Sequence, residues 1–164
     1  MRFLFPYTVL PALGPIPSLA GRQERPRPLV PVVILSPADP TKWVHYRACL
    51  DTGADDCVFH EDTATLLGID LTNAPSKTAR GSTGATMTFR YADVWLQLRD
   101  SAGNSTEWAA TVAFTQNRTS YPLLGYAGFL QFFNATFLGE DEQVELEENN
   151  SIGPIRHQPT LLSP

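Results

Sequence analysis

Cysteine and charge are both scarce in this sequence. Of its 164 residues only two are Cys, 18% are charged and 43% are hydrophobic. Two cysteines are too few for a disulfide-rich secreted scaffold, and with three His they show no spacing typical of a zinc site. The apolar content is too high for a disordered chain, and a net charge of -5 excludes the basic surface that nucleic acids bind. We therefore expect a globular protein without a metal, a cofactor or a nucleic-acid partner.

Long hydrophobic runs are also missing. No segment approaches the length of a membrane span, so we expect none. Pro6, Pro11, Pro15 and Pro17 interrupt the apolar residues of the N-terminus, which argues against a cleaved signal peptide. We predict that residues 1–26 form an extended, Pro-rich arm. We also expect a cytoplasmic protein with unpaired cysteines; an atypical secretion signal is the alternative.

The negative charge is concentrated at the C-terminal end. Residues 1–138 contain 11 acidic and 11 basic residues, whereas residues 139–164 contain six acidic residues and one basic residue, Arg156. Residues 139–164 are therefore predicted to be a solvated acidic tail outside the domain. The alternation of polar and apolar residues over 143–147 leaves open an additional edge strand there.

Between residues 27 and 138, short apolar segments alternate with turn residues, which is typical of one all-β domain. A helical turn is predicted at residues 63–67, closed by Gly68. Residues 127–133 are the best helix candidate, with Asn134 as a C-terminal cap, so that one short C-terminal helix is expected. The predicted strands are residues 29–35, 43–50, 86–98, 108–114, 123–124 and 135–137.

The candidate chemistry lies where the second predicted strand ends, at Asp51-Thr52-Gly53-Ala54. Gly53 permits a tight turn, and Thr52 offers a hydroxyl group to the backbone. Asp51 then stands at the end of a buried strand, where a carboxylate is costly unless it is hydrogen-bonded, paired or protonated. An ordinary turn with a solvated aspartate would also account for these four residues alone.

Four segments in this order resemble the retropepsin-like aspartic proteases, over roughly residues 27–138. They are residues 27–30 at the first core strand, 50–56 at the catalytic loop, 81–84 at the tip of the flap hairpin, and 123–125 before the helix. The resemblance implies a closed β-barrel with a flap hairpin and an endopeptidase that acts on peptide or protein substrates.

The resemblance also implies a homodimer. These enzymes use two carboxylates that share one proton around a water molecule, and this sequence has one Asp-Thr-Gly. Asp51 of each subunit would then meet at the two-fold axis, with Thr52 bonding the partner's backbone and Gly53 the substrate. Arg27 would pair with Asp55 of the other subunit. The residues implied to contact substrate are Ala54, Asp55, Asp56, Gly81, Ser82, Thr83, Gly84 and Leu123.

Some residues depart from the family pattern. Tyr126 follows the glycine of the last segment, where an arginine that fixes the acid at position 55 is usual. Extensions at both ends lie where retroviral proteases interleave their termini. Two alternatives stay open: a non-catalytic dimeric domain that binds peptides in the same groove, and a monomeric β-barrel with a fortuitous Asp-Thr-Gly turn.

Overall fold

The computed structural model describes residues 1–80, 84 and 86–151, and strands dominate it. The single α-helix among these residues is α1 (Glu61–Leu67), and none of their helices is long and apolar enough to cross a membrane. The strands are β1 (Arg2–Pro6), β2 (Thr8–Ile16), β3 (Arg22–Arg27), β4 (Leu29–Leu35), β5 (Trp43–Leu50), β6 (Val58–His60), β7 (Ser76–Arg80), β8 (Thr86–Arg99), β9 (Ser105–Thr115), β10 (Leu123–Leu124), β11 (Phe133–Leu138) and β12 (Gln143–Glu148).

Seven strands form one large sheet in the order β4-β5-β10-β6-β9-β8-β7. Because β4 also pairs with β8, six of these strands form a ring. Apolar residues at alternating positions, such as Val94, Leu96 and Leu98 on β8, are buried inside it. The all-β prediction is confirmed, and most of the predicted strands lie within one or two residues of their expected positions.

The α-helix lies in the middle of the chain, where one helical turn was expected. His60 caps its start, since its Nδ1 accepts a hydrogen bond from the backbone N–H of Asp62 at 3.2 Å. Gly68 ends it at φ +70°, a left-handed conformation that glycine adopts readily. Ala64 and Leu67 are buried against the sheet.

The predicted C-terminal helix at residues 127–133 is wrong. That segment contains a single 3-10 turn (Leu130–Phe132), and Asn134 pairs with Glu147 in β11 instead of capping a helix. Two residues have dihedral angles that are not helical. Gly128 has φ +92°, and Phe129 has φ −137° and ψ −73°. Tertiary packing explains this, because the indole N–H of Trp108 donates to the Gly128 carbonyl at 2.9 Å while the ring packs on three phenylalanines, Phe129, Phe132 and Phe133.

A second sheet joins the two ends of the described chain, in the order β1-β12-β11. Phe3 and Phe5 from β1 and Val144 and Leu146 from β12 are buried in the common core. The alternative of a strand over residues 143–147 is therefore confirmed, but β12 is the central strand of this sheet and not an edge. The prediction of a solvated tail is wrong for these residues. The strands within residues 1–26 are extended, as expected, but β1 is a paired core strand.

Strands β2 and β3 form a separate two-stranded sheet, which we call the hairpin arm (residues 8–27). Its base meets the body where Arg47 donates to the Thr8 hydroxyl at 2.8 Å. At its other end the guanidinium of Arg22 pairs with Glu142, in the loop before β12. The hairpin arm is thus anchored at both ends along the body.

Candidate active site

Asp51 follows directly on β5, and β10 fixes the end of that strand. The pair β5–β10 is parallel, with Leu124 opposite Leu50. The backbone N–H of Cys49 donates to Pro122 at 2.8 Å, and that of Asp51 donates to Leu124 at 3.2 Å. Since β10 lies between β5 and β6, the loop that joins β5 to β6 must pass over its end.

The Asp51 carboxylate is held by its own loop. The backbone N–H of Gly53 donates to its Oδ1 at 2.9 Å, and the N–H of Ala54 donates to its carbonyl at 3.2 Å. A Cβ on Gly53 would lie 3.3 Å from that same Oδ1. Asp51 is half-buried, whereas Thr52 and Gly53 are exposed. The arrangement therefore orients one carboxylate oxygen and leaves the group open to a ligand.

Gly125 contacts the backbone of the loop so closely that no side chain fits at this position. A Cβ at this position would lie 2.3 Å from the carbonyl oxygen of Asp56 and 2.6 Å from that of Ala54. The next two residues clamp the loop, because Tyr126 donates its N–H to Ala54 at 2.9 Å and Ala127 donates to Asp55 at 2.8 Å. The glycine after Leu124 is thus a requirement of close backbone packing.

Tyr91 on β8 is a site residue that the sequence did not indicate. Its hydroxyl donates to Oδ2 of Asp56 at 2.9 Å, which joins β8 to the loop. Burial, this hydrogen bond and the negative charges of Asp56 and Asp55 raise the pKa of Tyr91 to about 12. In sequence, Tyr91 is one of several alternating apolar positions, and nothing local distinguishes it.

Replacing Tyr91 by Phe should remove a pH-dependent contribution to stability. An unfolded tyrosine titrates near 10, so the contribution is present below about pH 10 and is lost as the pH rises through the folded-state pKa of about 12. At neutral pH we expect Tyr91→Phe to lower the free energy of unfolding by about 1 kcal/mol through the lost hydrogen bond. Urea titrations from pH 7 to 11 measure both effects.

The control for that variant is Tyr126→Phe, since Tyr126 is 64% exposed and only its backbone contacts the loop. It should leave the free energy of unfolding almost unchanged. If Tyr91→Phe and Tyr126→Phe have the same stability from pH 7 to 11, the hydroxyl of Tyr91 does not hold Asp56.

Both cysteines are free thiols beside the loop. Cys57 is fully buried, and burial raises the pKa of its thiol to about 12. Cys49 is half-buried; burial and the charge of Asp51 raise its pKa, whereas Arg27 lowers it. Cys57 thus packs as a small apolar residue.

The remaining predicted site residues lie on neighbouring elements. Arg27 ends β3, and the next residue, Pro28, accepts a hydrogen bond from the N–H of Leu50 at 3.1 Å, just before Asp51. Within the described chain Arg27 makes no ion pair. Leu123 is half-buried on β10, opposite Cys49 and Val58.

The predicted flap lies at the turn of a hairpin formed by β7 and β8, whose last pair is Arg80 with Thr86. Gly84 is exposed with φ +79°, as a hairpin turn requires. The other predicted flap residues, Gly81, Ser82 and Thr83, lie outside the described residues.

Comparison with models of known protein families gives a match. A family model described as "Aspartyl protease" matches residues 42–127, from the start of β5 to the loop after β10. No curated protein matches the chain. Among the described residues no group of three or more His, Cys, Asp or Glu side chains could hold a metal ion.

Proposed function

The chain belongs to the aspartyl protease family of the retropepsin-like clan, and from this premise we propose that it is a homodimeric endopeptidase whose active site combines Asp51 from two subunits. One observation carries the proposal. The Asp51 carboxylate is oriented by Gly53 and accessible, and the chain contains a single Asp-Thr-Gly. The two-carboxylate mechanism therefore needs a second copy.

The reaction follows from bringing two Asp51 side chains together. Two carboxylates a few ångströms apart cannot both ionise easily, so the pair holds one proton. The ionised Asp51 takes a proton from the bound water, which attacks the carbonyl carbon, while the protonated Asp51 donates its proton to the carbonyl oxygen. When the C–N bond breaks, the leaving nitrogen takes a proton from the aspartate that received it from water, and one hydroxyl of the tetrahedral intermediate returns its proton to the other aspartate as the carbonyl re-forms.

Neighbouring residues supply positioning in this proposal. The exposed Thr52 is available to bond the partner's backbone, and the exposed Gly53 to bond substrate. Asp55 is exposed, and Arg27 makes no ion pair with the other described residues, which supports a pair between them across the two-fold axis. Tyr126 stands where the family pattern has an arginine that fixes the acid at position 55, whereas Tyr91 holds the neighbouring Asp56, so the contacts of the two acids differ from the family pattern.

Substrate contacts complete the proposal. Ala54, Asp55 and Asp56 line the groove beside the carboxylates. Gly81, Ser82, Thr83 and Gly84 close over the peptide and bond its backbone, as a flap does. Leu123 contributes an apolar wall to a side-chain pocket.

The test is cleavage of a mixed peptide library by the purified chain from mildly acidic to neutral pH, read by mass spectrometry. We expect cleavage within extended peptides, with a specific activity that rises with protein concentration because the site needs two copies. A sample that is dimeric by sedimentation and yet cleaves no peptide at any pH contradicts the proposal and favours a peptide-binding domain.

A further inference from the structure

The hairpin arm presents an apolar surface that the body does not cover. Within the described chain its two strands pair only with each other, and a two-stranded sheet alone is marginally stable in water. The outward positions of β2 are all apolar: Leu13 is fully exposed, Val9 is 45% exposed, and Pro11 and Pro15 are exposed. Contiguous exposed apolar residues of this kind mark an interaction surface.

The opposite side of β2 also has apolar residues, and residues from both sides of the strand line a groove of about 460 Å³. Leu10, Ala12 and Gly14 are half-buried there, and Arg25 and Arg27 border it. A strand that is apolar on both sides is typical of a segment enclosed by protein. In the described chain β2 has no such cover on its outward side, where Leu13 is fully exposed.

The position of the hairpin arm indicates which molecule covers its exposed apolar surface. Its base, at Arg27, lies one residue from Pro28, whose carbonyl binds the N–H of Leu50 immediately before Asp51. A second Asp51 must approach this same region if the proposed catalytic pair is to form. A second copy of the chain is therefore the molecule that would come nearest to the base of the hairpin arm, from which the exposed face of β2 extends.

The ends of the described chain are already used within one subunit. Strand β1 pairs with β12 over five residues, from Arg2 with Glu147 to Pro6 with Gln143. The N-terminal ammonium also pairs with Glu148 at 2.9 Å. Termini interleaved as in retroviral proteases would require these contacts to break, whereas contact through the exposed side of β2 would leave them in place.

We propose that the hairpin arm, residues 8–27, is the main dimer contact and that the exposed side of β2 packs against the hairpin arm of a second copy. The inference rests on the proposed dimeric active site. A standard interface takes about 20–30 residues from each partner, so the exposed side of β2 would be its apolar centre, and side chains of β3 and the Asp51 loop would extend it. Contact is through side chains, because Pro11 and Pro15 remove backbone donors from β2 and discourage edge-to-edge pairing.

Charge and preorganisation agree with this packing. Arg22, Arg25 and Arg27 with Glu24 make β3 polar, so that a polar rim borders the apolar strand, as in other interfaces. The anchors at Arg47–Thr8 and Arg22–Glu142 fix the hairpin arm in the free subunit, which lowers the entropy lost on association.

The test is the oligomeric state of Leu13→Asp, measured by sedimentation over a range of concentrations, with Leu66→Asp as the matched control. Leu66 is also a surface leucine, 62% exposed, but it lies on α1. Leu13→Asp should raise the dimer dissociation constant at least about 30-fold, as expected for a charge placed in a central apolar contact. Leu66→Asp should leave it unchanged. Val9→Asp provides a second variant at the same face.

Peptidase activity separates this inference from the proposed function. Activity of Leu13→Asp should fall at low concentration and recover at high concentration, since Leu13 touches no substrate. If Leu13→Asp and Val9→Asp both stay as dimeric as Leu66→Asp, the hairpin arm is not the interface, whether or not the wild type cleaves peptides. If the wild type sediments as a monomer at all concentrations, a second copy is not the occupant. Loss of the dimer only in the hairpin-arm variants supports the inference even if no peptide is cleaved.

Discussion

Asp51→Asn is expected to abolish peptide cleavage, with a loss of at least about 10³-fold, while fold and dimer persist. The asparagine side chain has the same shape, and its oxygen can still accept the Gly53 N–H that now bonds Oδ1 at 2.9 Å. It cannot take a proton from water or share one with its partner. Turnover on the best library peptide, unfolding by urea and sedimentation measure the three properties.

Asp70→Asn is the matched control for that variant. Asp70 Oδ1 accepts the backbone N–H of Thr72 at 2.8 Å, so the two aspartates have the same local hydrogen bond two residues along the chain. Only Asp51 stands beside β10 at the loop. We expect Asp70→Asn to retain full activity. Equal turnover by Asp51→Asn and the wild type would show that Asp51 is not the base.

Gly125→Ala is expected to lower the free energy of unfolding by at least about 3 kcal/mol and to remove activity. The new methyl would meet backbone oxygens of Asp56 and Ala54 at 2.3 and 2.6 Å, which is far inside van der Waals contact. The Ala54 oxygen cannot move alone, because it also accepts the Tyr126 N–H. Strand β10 and the loop must separate.

The matched control is Gly139→Ala, since a Cβ there meets nothing within 4 Å and the backbone is not left-handed. It should change the urea midpoint by little. A Gly125→Ala protein as stable and as active as Gly139→Ala would mean that the loop and β10 are not packed as described.

Local signals were sufficient to predict the centre of the site. The end of β5 at Leu50, the tight turn at Gly53 and the short strand β10 all follow from a run of apolar residues and the turn residues that bound it. The need for a glycine after Leu124 is visible in sequence only as part of a motif. The structure adds the reason, which is the approach of two backbone oxygens.

The wrong prediction of a helix and the features that were not predicted all involve contacts between residues distant in sequence. Residues 127–133 have a helical apolar pattern, but Trp108 draws Phe129 and Phe133 into the core, and this packing outweighs a weak local preference. The pairing of β1 with β12 joins residues more than 130 positions apart, so no local pattern could indicate it. The bond from Tyr91 to Asp56 spans 35 positions and looks, in sequence, like ordinary alternation along a strand.

Activity in mixtures of wild-type and Asp51→Asn subunits tests the central claim most directly, because it asks whether one active site takes an aspartate from each of two chains. Wild-type protein is held at a fixed concentration, an equal amount of Asp51→Asn is added, and the subunits are left to exchange. If the two carboxylates come from two subunits, half of the wild-type subunits enter mixed, inactive dimers, and the measured activity falls to about half. Unchanged activity, with mixed dimers confirmed in the same sample, would contradict the claim, since each subunit would then carry a complete site of its own.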